Sequence, residues 1–277
     1  MMKCLDLSGI WRYETDINDV GIEEKFYTRK LKNDNFILPG DACSNRVGTA
    51  FSQPEEMTRE TVRHLTPAYS YVGVLWLQRT FTLPEEYENK SLSLFLERVN
   101  IASDLWIDDK KIDRRIIQIS TPHIYNLTGK IKGGEHTITL RIDNSNLLNI
   151  DNMASGYSPD TQSIWNGIIG KIELRCENIF HTSNIQVFPD KESVHIKLTA
   201  HSDCAKPNDR RKVKFRICAV SPTGKELKEK KYTAVIYNSK QIIHLDYPIK
   251  KPVLWDEFNP ALYTLKVQME YDKICDE

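Results

Sequence analysis

The chain lacks most of what would tie it to a charged partner or a cofactor. Its 38 basic and 38 acidic side chains cancel over 277 residues, so no global field favours nucleic acid or an anionic membrane surface. No stretch approaches the roughly 18 consecutive apolar residues of a membrane-spanning helix. The start, Met1-Met2-Lys3-Cys4-Leu5-Asp6, has no apolar stretch of the kind a secretory signal needs. A soluble protein is expected, cytoplasmic or, had a leader been removed, periplasmic. Six cysteines (Cys4, Cys43, Cys176, Cys204, Cys218 and Cys275) form no C-x-x-C pair. Thiols, several of them in strand cores, are expected in place of a disulfide framework, and no metal is expected. A G-x-S-x-G elbow, a phosphate-binding loop, a dinucleotide fingerprint and an H-E-x-x-H helix are all missing, so no cofactor is expected either.

Helical periodicity is nearly missing as well, and strand periodicity takes its place. Leu7 to Tyr13 reads as a short strand, and the polar run Glu14 to Asn35 leads from it to Phe36-Ile37-Leu38. A long irregular stretch follows to about Ala68, with one or two helical turns expected between Glu55 and Leu65. Leu75, Leu77, Phe81 and Leu83 then alternate with polar residues and Trp76, as do Leu92, Leu94 and Leu96, and Ile138, Leu140 and Ile142. Short strands at this spacing indicate a β-sandwich or jelly roll. Asp108-Asp109 should close a hairpin and, without a glycine, Asp109 should bear the positive φ. After Cys176 a second set of period-2 runs begins, from Ile185-Val187 through Val194–Ala200, Val213–Ala219, Tyr232–Ile236 and Ile243–Leu245 to Tyr263–Tyr271. Six or seven strands in about a hundred residues have the rhythm of an immunoglobulin-like sandwich. Two domains are expected, 1–176 and 177–277, with net charges of −3 and +3 that carry no functional signal.

The two sets meet at Thr161-Gln162-Ser163-Ile164-Trp165-Asn166-Gly167-Ile168-Ile169-Gly170 and the alternating Lys171-Ile172-Glu173-Leu174-Arg175-Cys176. The second half is a strand, with Ile172, Leu174 and Cys176 on one side. The first half suits a loop that holds one ring and one carboxamide outward, with Gly167 allowing a positive φ or a close backbone approach.

That stretch resembles the end of the sugar-binding domain of glycoside hydrolase family 2, which includes β-galactosidases, β-glucuronidases and β-mannosidases. His64 to Pro84, "HLTPAYSYVGVLWLQRTFTLP", resembles the family's Y-x-G-x-x-W-Y-x-R-x-F strand, with Leu77 where an aromatic is usual. Leu94 to Ile112, "LFLERVNIASDLWIDDKKI", resembles its V-x-x-x-A-x-V-W-V-N-G hairpin, and Pro252 to Val267, "PVLWDEFNPALYTLKV", its P-x-L-W-x-x-x-x-P-x-L-Y signature. The resemblance implies an all-β chain, a galactose-binding-like jelly roll followed by an immunoglobulin-like sandwich.

Glycoside hydrolysis needs two carboxylates flanking the scissile bond. The adjacent pairs Glu23-Glu24, Glu55-Glu56, Glu85-Glu86 and Asp108-Asp109 read as solvated turns, so no catalytic residue is expected here. In the resembled family both catalytic glutamates lie on a (β/α)8 barrel that follows the two sandwiches. The resemblance therefore implies the non-catalytic N-terminal part of such an enzyme, whose partners are a β-glycoside substrate and that barrel. It also implies that a first-domain loop touches sugar hydroxyls, and Asp160, Gln162 and Asn166 are the candidates, because carboxylates and carboxamides share paired hydrogen bonds with vicinal hydroxyls. Against this stands the reading that Asn166 caps its own turn and Trp165 is core. Trp11, Trp76, Trp106 and Trp255 read as core residues of strand motifs, and His123 and Tyr125 as sheet supports that could border a sugar. An autonomous carbohydrate-binding module and a structural assembly protein are the competing functions. Apolar area exposed without a barrel would favour homo-oligomers.

Overall fold

The computed structural model describes residues 2–52, 56, 58–59, 68–148, 165–203, 209–272 and 274–276. The helical turns expected between Glu55 and Leu65 fall mostly outside these residues. Two compact units divide the chain, one of Cys4–Glu88 with Leu92–Arg175, the other of Cys176–Glu277 with Met1–Lys3 and Asn89–Ser91.

In the first unit the strands are β1 (Lys3–Asp6), β2 (Gly9–Asp16), β3 (Asn33–Leu38), β4 (Gly40–Asp41), β5 (Thr49–Ala50), β6 (Tyr69–Ser70), β7 (Val74–Leu83), β8 (Ser91–Val99), β9 (Ala102–Ile107), β10 (Lys110–Ile117), β11 (His123–Asn126), β12 (Gly134–Asp143) and β13 (Gly167–Glu177). They form one sheet in the order β10-β9-β12-β7-β2-β3 and another in the order β1-β13-β8-β11, with β4 on β13. The alternation expected from the sequence places Leu75, Leu77, Leu105, Leu140 and Ile142 on one face of the six-stranded sheet, where they are buried. Leu92, Leu94, Leu96, Ile172 and Leu174 are buried from the other sheet.

The opposite face of the six-stranded sheet departs from a simple sandwich, because it too is covered. Register sets Glu14, Trp76, Arg141 and Asp104 in one cross-strand row. The polar run after β2 folds back over this row: Phe26 and Leu31 pack with Val74, Trp76 and Trp106 in a second small core. The charges beneath it are paired. Arg29 and Lys32 hold the Glu14 carboxylate at 2.8 and 2.7 Å, while Arg141 reaches Asp19, Asp104 and Asp143. Burial raises the Glu14 pKa, but these hydrogen-bonded cations overcome it and hold the group down at about 2.

The hairpin between β9 and β10 corrects the expectation for Asp109 alone. Both Asp108 and Asp109 have positive φ, 47° and 66°, as a two-residue type I′ turn requires. Asp108 offsets its strain by accepting from the Thr137 amide at 2.9 Å.

In the second unit β14 (Phe180–Pro189), β15 (Ser193–Ser202) and β18 (Lys240–Pro248) form a three-stranded antiparallel sheet in the order β14-β15-β18. The second sheet, β17-β16-β19-β20, consists of β16 (Arg210–Val220), β17 (Lys230–Tyr237), β19 (Thr264–Tyr271) and β20 (Ile274–Asp276). Phe180, Ile196, Leu198, Val213, Phe215, Ile217, Leu245, Tyr247 and Met269 supply one core. Cys4, Cys43, Cys176, Cys218 and Cys275 are thiols.

Three of the four tryptophans expected in the core are there, Trp11, Trp76 and Trp106. Trp255 is not. It is 60% exposed, in a segment between Pro252 and Pro260 that joins no ladder. Asp256 Oδ1 accepts from the amides of Phe258 (2.9 Å) and Asn259 (2.7 Å), so the chain closes into an Asx-type turn. Val253, Leu254 and Phe258 on the same segment, and Leu262 just after it, are exposed with it.

Candidate functional site

Asn166 immediately precedes β13, and the residue after it explains why. Gly167 pairs with Asp41 of β4, and a Cβ there would stand 2.7 Å from the Asp41 Cα and closer still to the Gly40 carbonyl oxygen. Only glycine fits so close an approach, as the sequence suggested. The main chain of Asn166 is thereby fixed, its carbonyl accepting from the Ala42 amide at 2.7 Å.

The Asn166 side chain turns inward, not outward as the loop reading supposed, and is 1% exposed. Its Nδ2 donates to the Gly73 carbonyl at 2.8 Å and to Asn144 Oδ1 at 3.0 Å. Asn144 Oδ1 also accepts from the Gly73 amide at 2.9 Å, while its Nδ2 donates to the Tyr71 carbonyl at 3.0 Å. The Trp165 carbonyl accepts from Asn100 Nδ2 at 3.0 Å and from Asn144 Nδ2 at 3.3 Å, and Trp165 itself is half-buried. Three asparagines at the ends of three strands thus hold one backbone junction. Sequence reasoning reached Asn166 but missed Asn100 and Asn144. The available signal was an asparagine directly after the strand-like runs that end at Val99 and Asp143.

Donors and acceptors do not balance in this cluster. Among the described residues, Asn100 Oδ1 and Asn166 Oδ1 are buried without a hydrogen-bond partner. Each is an acceptor that a hydroxyl proton could satisfy, and leaving it bare costs about 1–3 kcal/mol. Asp160 and Gln162, the other two candidates, lie outside the described residues.

The remaining polar clusters of the first unit are committed to structure. Ser103 Oγ lies 2.7 Å from both His123 Nδ1 and the Tyr125 hydroxyl, which donates to the Ser103 carbonyl. All three residues are buried, so His123 and Tyr125 support the sheet. The buried carboxylates Glu14, Asp16, Asp104 and Asp143 are each held by cations or N–H donors, which leaves none of them poised as a general acid or nucleophile. A groove of about 720 Å3 runs beside Tyr27, Arg29, Asp34 and Arg79. Its arginines are engaged: Arg29 binds Glu14, and Arg79 donates to the Leu7 carbonyl.

Residues 178–277 match the model of the family described as glycosyl hydrolases family 2. Across 212 residues the chain is 26% identical to a protein of Formosa agariphila provisionally named a β-glucuronidase, a match that covers 74% of this chain and 24% of that relative. The chain thus spans about a quarter of the length of that relative. Among solved structures, a β-glucuronidase of Bacteroides uniformis superposes with a TM-score of 0.72 at 16% identity, over 100% of this chain and 31% of that one. A glycosyl hydrolase family 2 member from Bacteroides cellulosilyticus gives 0.66 at 16% identity, over 99% and 35%. At these identities the superpositions speak for the fold, which is that of the β-sandwich domains of family 2 enzymes, and the resemblance noted in the sequence holds.

Proposed function

We propose that this chain is the non-catalytic N-terminal part of a family 2 glycoside hydrolase acting on a β-glycoside. Residues 1–176 serve as the sugar-binding domain and residues 177–277 as an immunoglobulin-like domain supporting a (β/α)8 catalytic barrel. The observation that carries this reading is the exposed apolar segment around Trp255, within the family's P-x-L-W signature. A surface on which Leu254, Trp255, Phe258 and Leu262 all face water is stable when another apolar surface covers it. Asp160, Gln162 and Asn166 are proposed to present polar atoms to the sugar, and the unmatched Asn166 Oδ1 supports an acceptor role for that residue.

The test combines the purified chain with a family 2 barrel polypeptide and nitrophenyl glucuronide, galactoside and mannoside. Hydrolysis that appears only with the barrel, and falls when Leu254 and Phe258 are replaced by serine, is the expected result. Hydrolysis by this chain alone, abolished by changing one of its own acids, would overturn the proposal. Tight sugar binding that the barrel does not alter would favour an autonomous binding module.

A further inference from the structure

The outward face of the three-stranded sheet carries a histidine pair that spacing along the sequence conceals. β15 and β18 pair so that His195 stands opposite Asp246 and Lys197 opposite His244, which makes His195 and His244 diagonal neighbours on one face. Their rings are 5.4 Å apart and inclined by 29°. His195 Nδ1 lies 2.7 Å from Asp246 Oδ1, and His195 Nε2 lies 3.2 Å from His244 Nδ1.

Proton bookkeeping gives this geometry its meaning. A carboxylate can only accept, so the neutral His195 ring carries its proton on Nδ1 and leaves the Nε2 lone pair aimed at His244. A single proton on His244 Nδ1 can fill the gap, and so can a metal ion. Two imidazole nitrogens bound to one tetrahedral ion at about 2.0 Å stand roughly 3.3 Å apart, close to the separation found. The carboxylate behind His195 is the kind of partner that orients a metal-binding imidazole. His136 spends its two nitrogens on Asp108 and the Lys132 carbonyl, and His123 on Ser103 and the Gln118 carbonyl; His181 and His201 also stack, 4.4 Å apart, but His181 Nδ1 is bonded to the Asn178 carbonyl and His201 Nε2 to the Ser183 hydroxyl.

We propose that His195 and His244, braced by Asp246, form an open two-histidine site for a divalent transition-metal ion of the copper or zinc class. Among the described residues no three side chains of metal-ligating type converge, so the other coordination positions belong to water or to a group from outside. The nearly half-exposed His195 leaves room for them. Phe188 flanks His195 with its ring centre 6.3 Å away, and Lys230 donates to the Asp246 carbonyl at 3.0 Å. Nearby Lys197 and Lys230 oppose any divalent ion alike, and the general affinity order for nitrogen ligands places Cu2+ at the site ahead of Zn2+. This site is independent of the glycosidase reading.

Calorimetric titration of the whole chain with Zn2+, and with Cu2+ followed by electron paramagnetic resonance, tests the proposal. One ion should bind with two-nitrogen coordination, and the His195 and His244 ring signals should move together in the NMR spectrum on adding Zn2+. His195→Gln and His244→Gln should each weaken binding at least tenfold with an unchanged circular-dichroism spectrum, and Asp246→Asn should weaken it about 10- to 100-fold. Affinity unchanged in either glutamine variant, or no binding by the wild-type chain at millimolar metal, would overturn it.

Discussion

The Asn166 amide nitrogen donates to the Gly73 carbonyl at 2.8 Å, joining the residue before β13 to the residue before β7. The bond spans 93 positions of sequence and fixes the entry to both strands. Asn166→Ala would leave the Gly73 carbonyl and one acceptor of Asn144 short of a donor, so a loss of about 1–3 kcal/mol in urea unfolding is expected. The unmatched Oδ1 is a separate quantity. If it meets a sugar hydroxyl in the complete enzyme, the same change should also lower kcat/KM by roughly 5- to 150-fold. Destabilisation with unaltered kcat/KM would leave Asn166 a structural residue only.

Glu14 is a group through which strong acid should weaken the first domain. Its folded pKa of about 2 is below the model-compound value of 4.5, so its contribution is complete above the ordinary carboxylate pKa and lost as pH falls toward 2. Arg29→Ala removes two of its hydrogen bonds and should cost about 2 kcal/mol at neutral pH. The acid limb of the melting curve should shift upward in pH. A variant whose acid limb coincides with that of the wild type would exclude Glu14 as its source.

Two histidines of the first domain should titrate with opposite sign. Burial lowers the His123 pKa, with the Gln118 carbonyl opposing in part; the unfolded chain then takes up a proton first, and stability falls as pH drops below about 6.5. For His136 burial also pulls downward, but the Asp108 carboxylate and the Lys132 carbonyl outweigh it and raise the pKa. Its contribution is present below about 6.5 and lost as pH rises through the raised value. His136→Gln should therefore lower stability at pH 5.5 more than at pH 8.5, and His123→Gln should flatten the loss on the acid side. Melting temperatures across that range check both signs.

How much of this was legible in the sequence depended on whether one face or two were covered. Ile172, Leu174 and Cys176 alternate with exposed or half-buried neighbours and were read correctly, as were the main strands of the second domain, where period 2 survives. In β7 the first five residues are all buried, because Phe26 and Leu31 return from a run that composition marked as polar. Nothing local told that those two would cover Trp76. β10 was read only as the short second arm of the Asp108-Asp109 hairpin, because its Lys-Lys-Ile-Asp-Arg-Arg start shows one buried apolar residue, as suits a charged sheet edge. The Asn166 stretch was recognised by its glycine, whose need is local, whereas the partners Gly73, Asn100 and Asn144 are brought to it by topology. His195 and His244 met for the same reason: strand register, not spacing, places them together.

The last prediction concerns the apolar loop of the second domain. Asp256 Oδ1 takes two amide protons, and the Tyr263 hydroxyl accepts from the Val253 amide at 3.0 Å, so the backbone is shaped locally while the large side chains remain outside. Phe258, 89% exposed, contributes almost nothing to its own domain. Phe258→Ser should therefore change stability by no more than about 0.5 kcal/mol. Asp256→Ala removes the turn's acceptor and should cost about 1 kcal/mol. An exposed apolar cluster of this kind also promotes association, so light scattering of the wild-type chain should show self-association that rises with concentration and diminishes in Phe258→Ser. A wild-type chain that stays monomeric at high concentration would remove the loop as a sticky surface between copies. If Phe258→Ser instead lowered stability by several kcal/mol, the residue would belong to the domain's own packing and could not be the surface that a barrel covers.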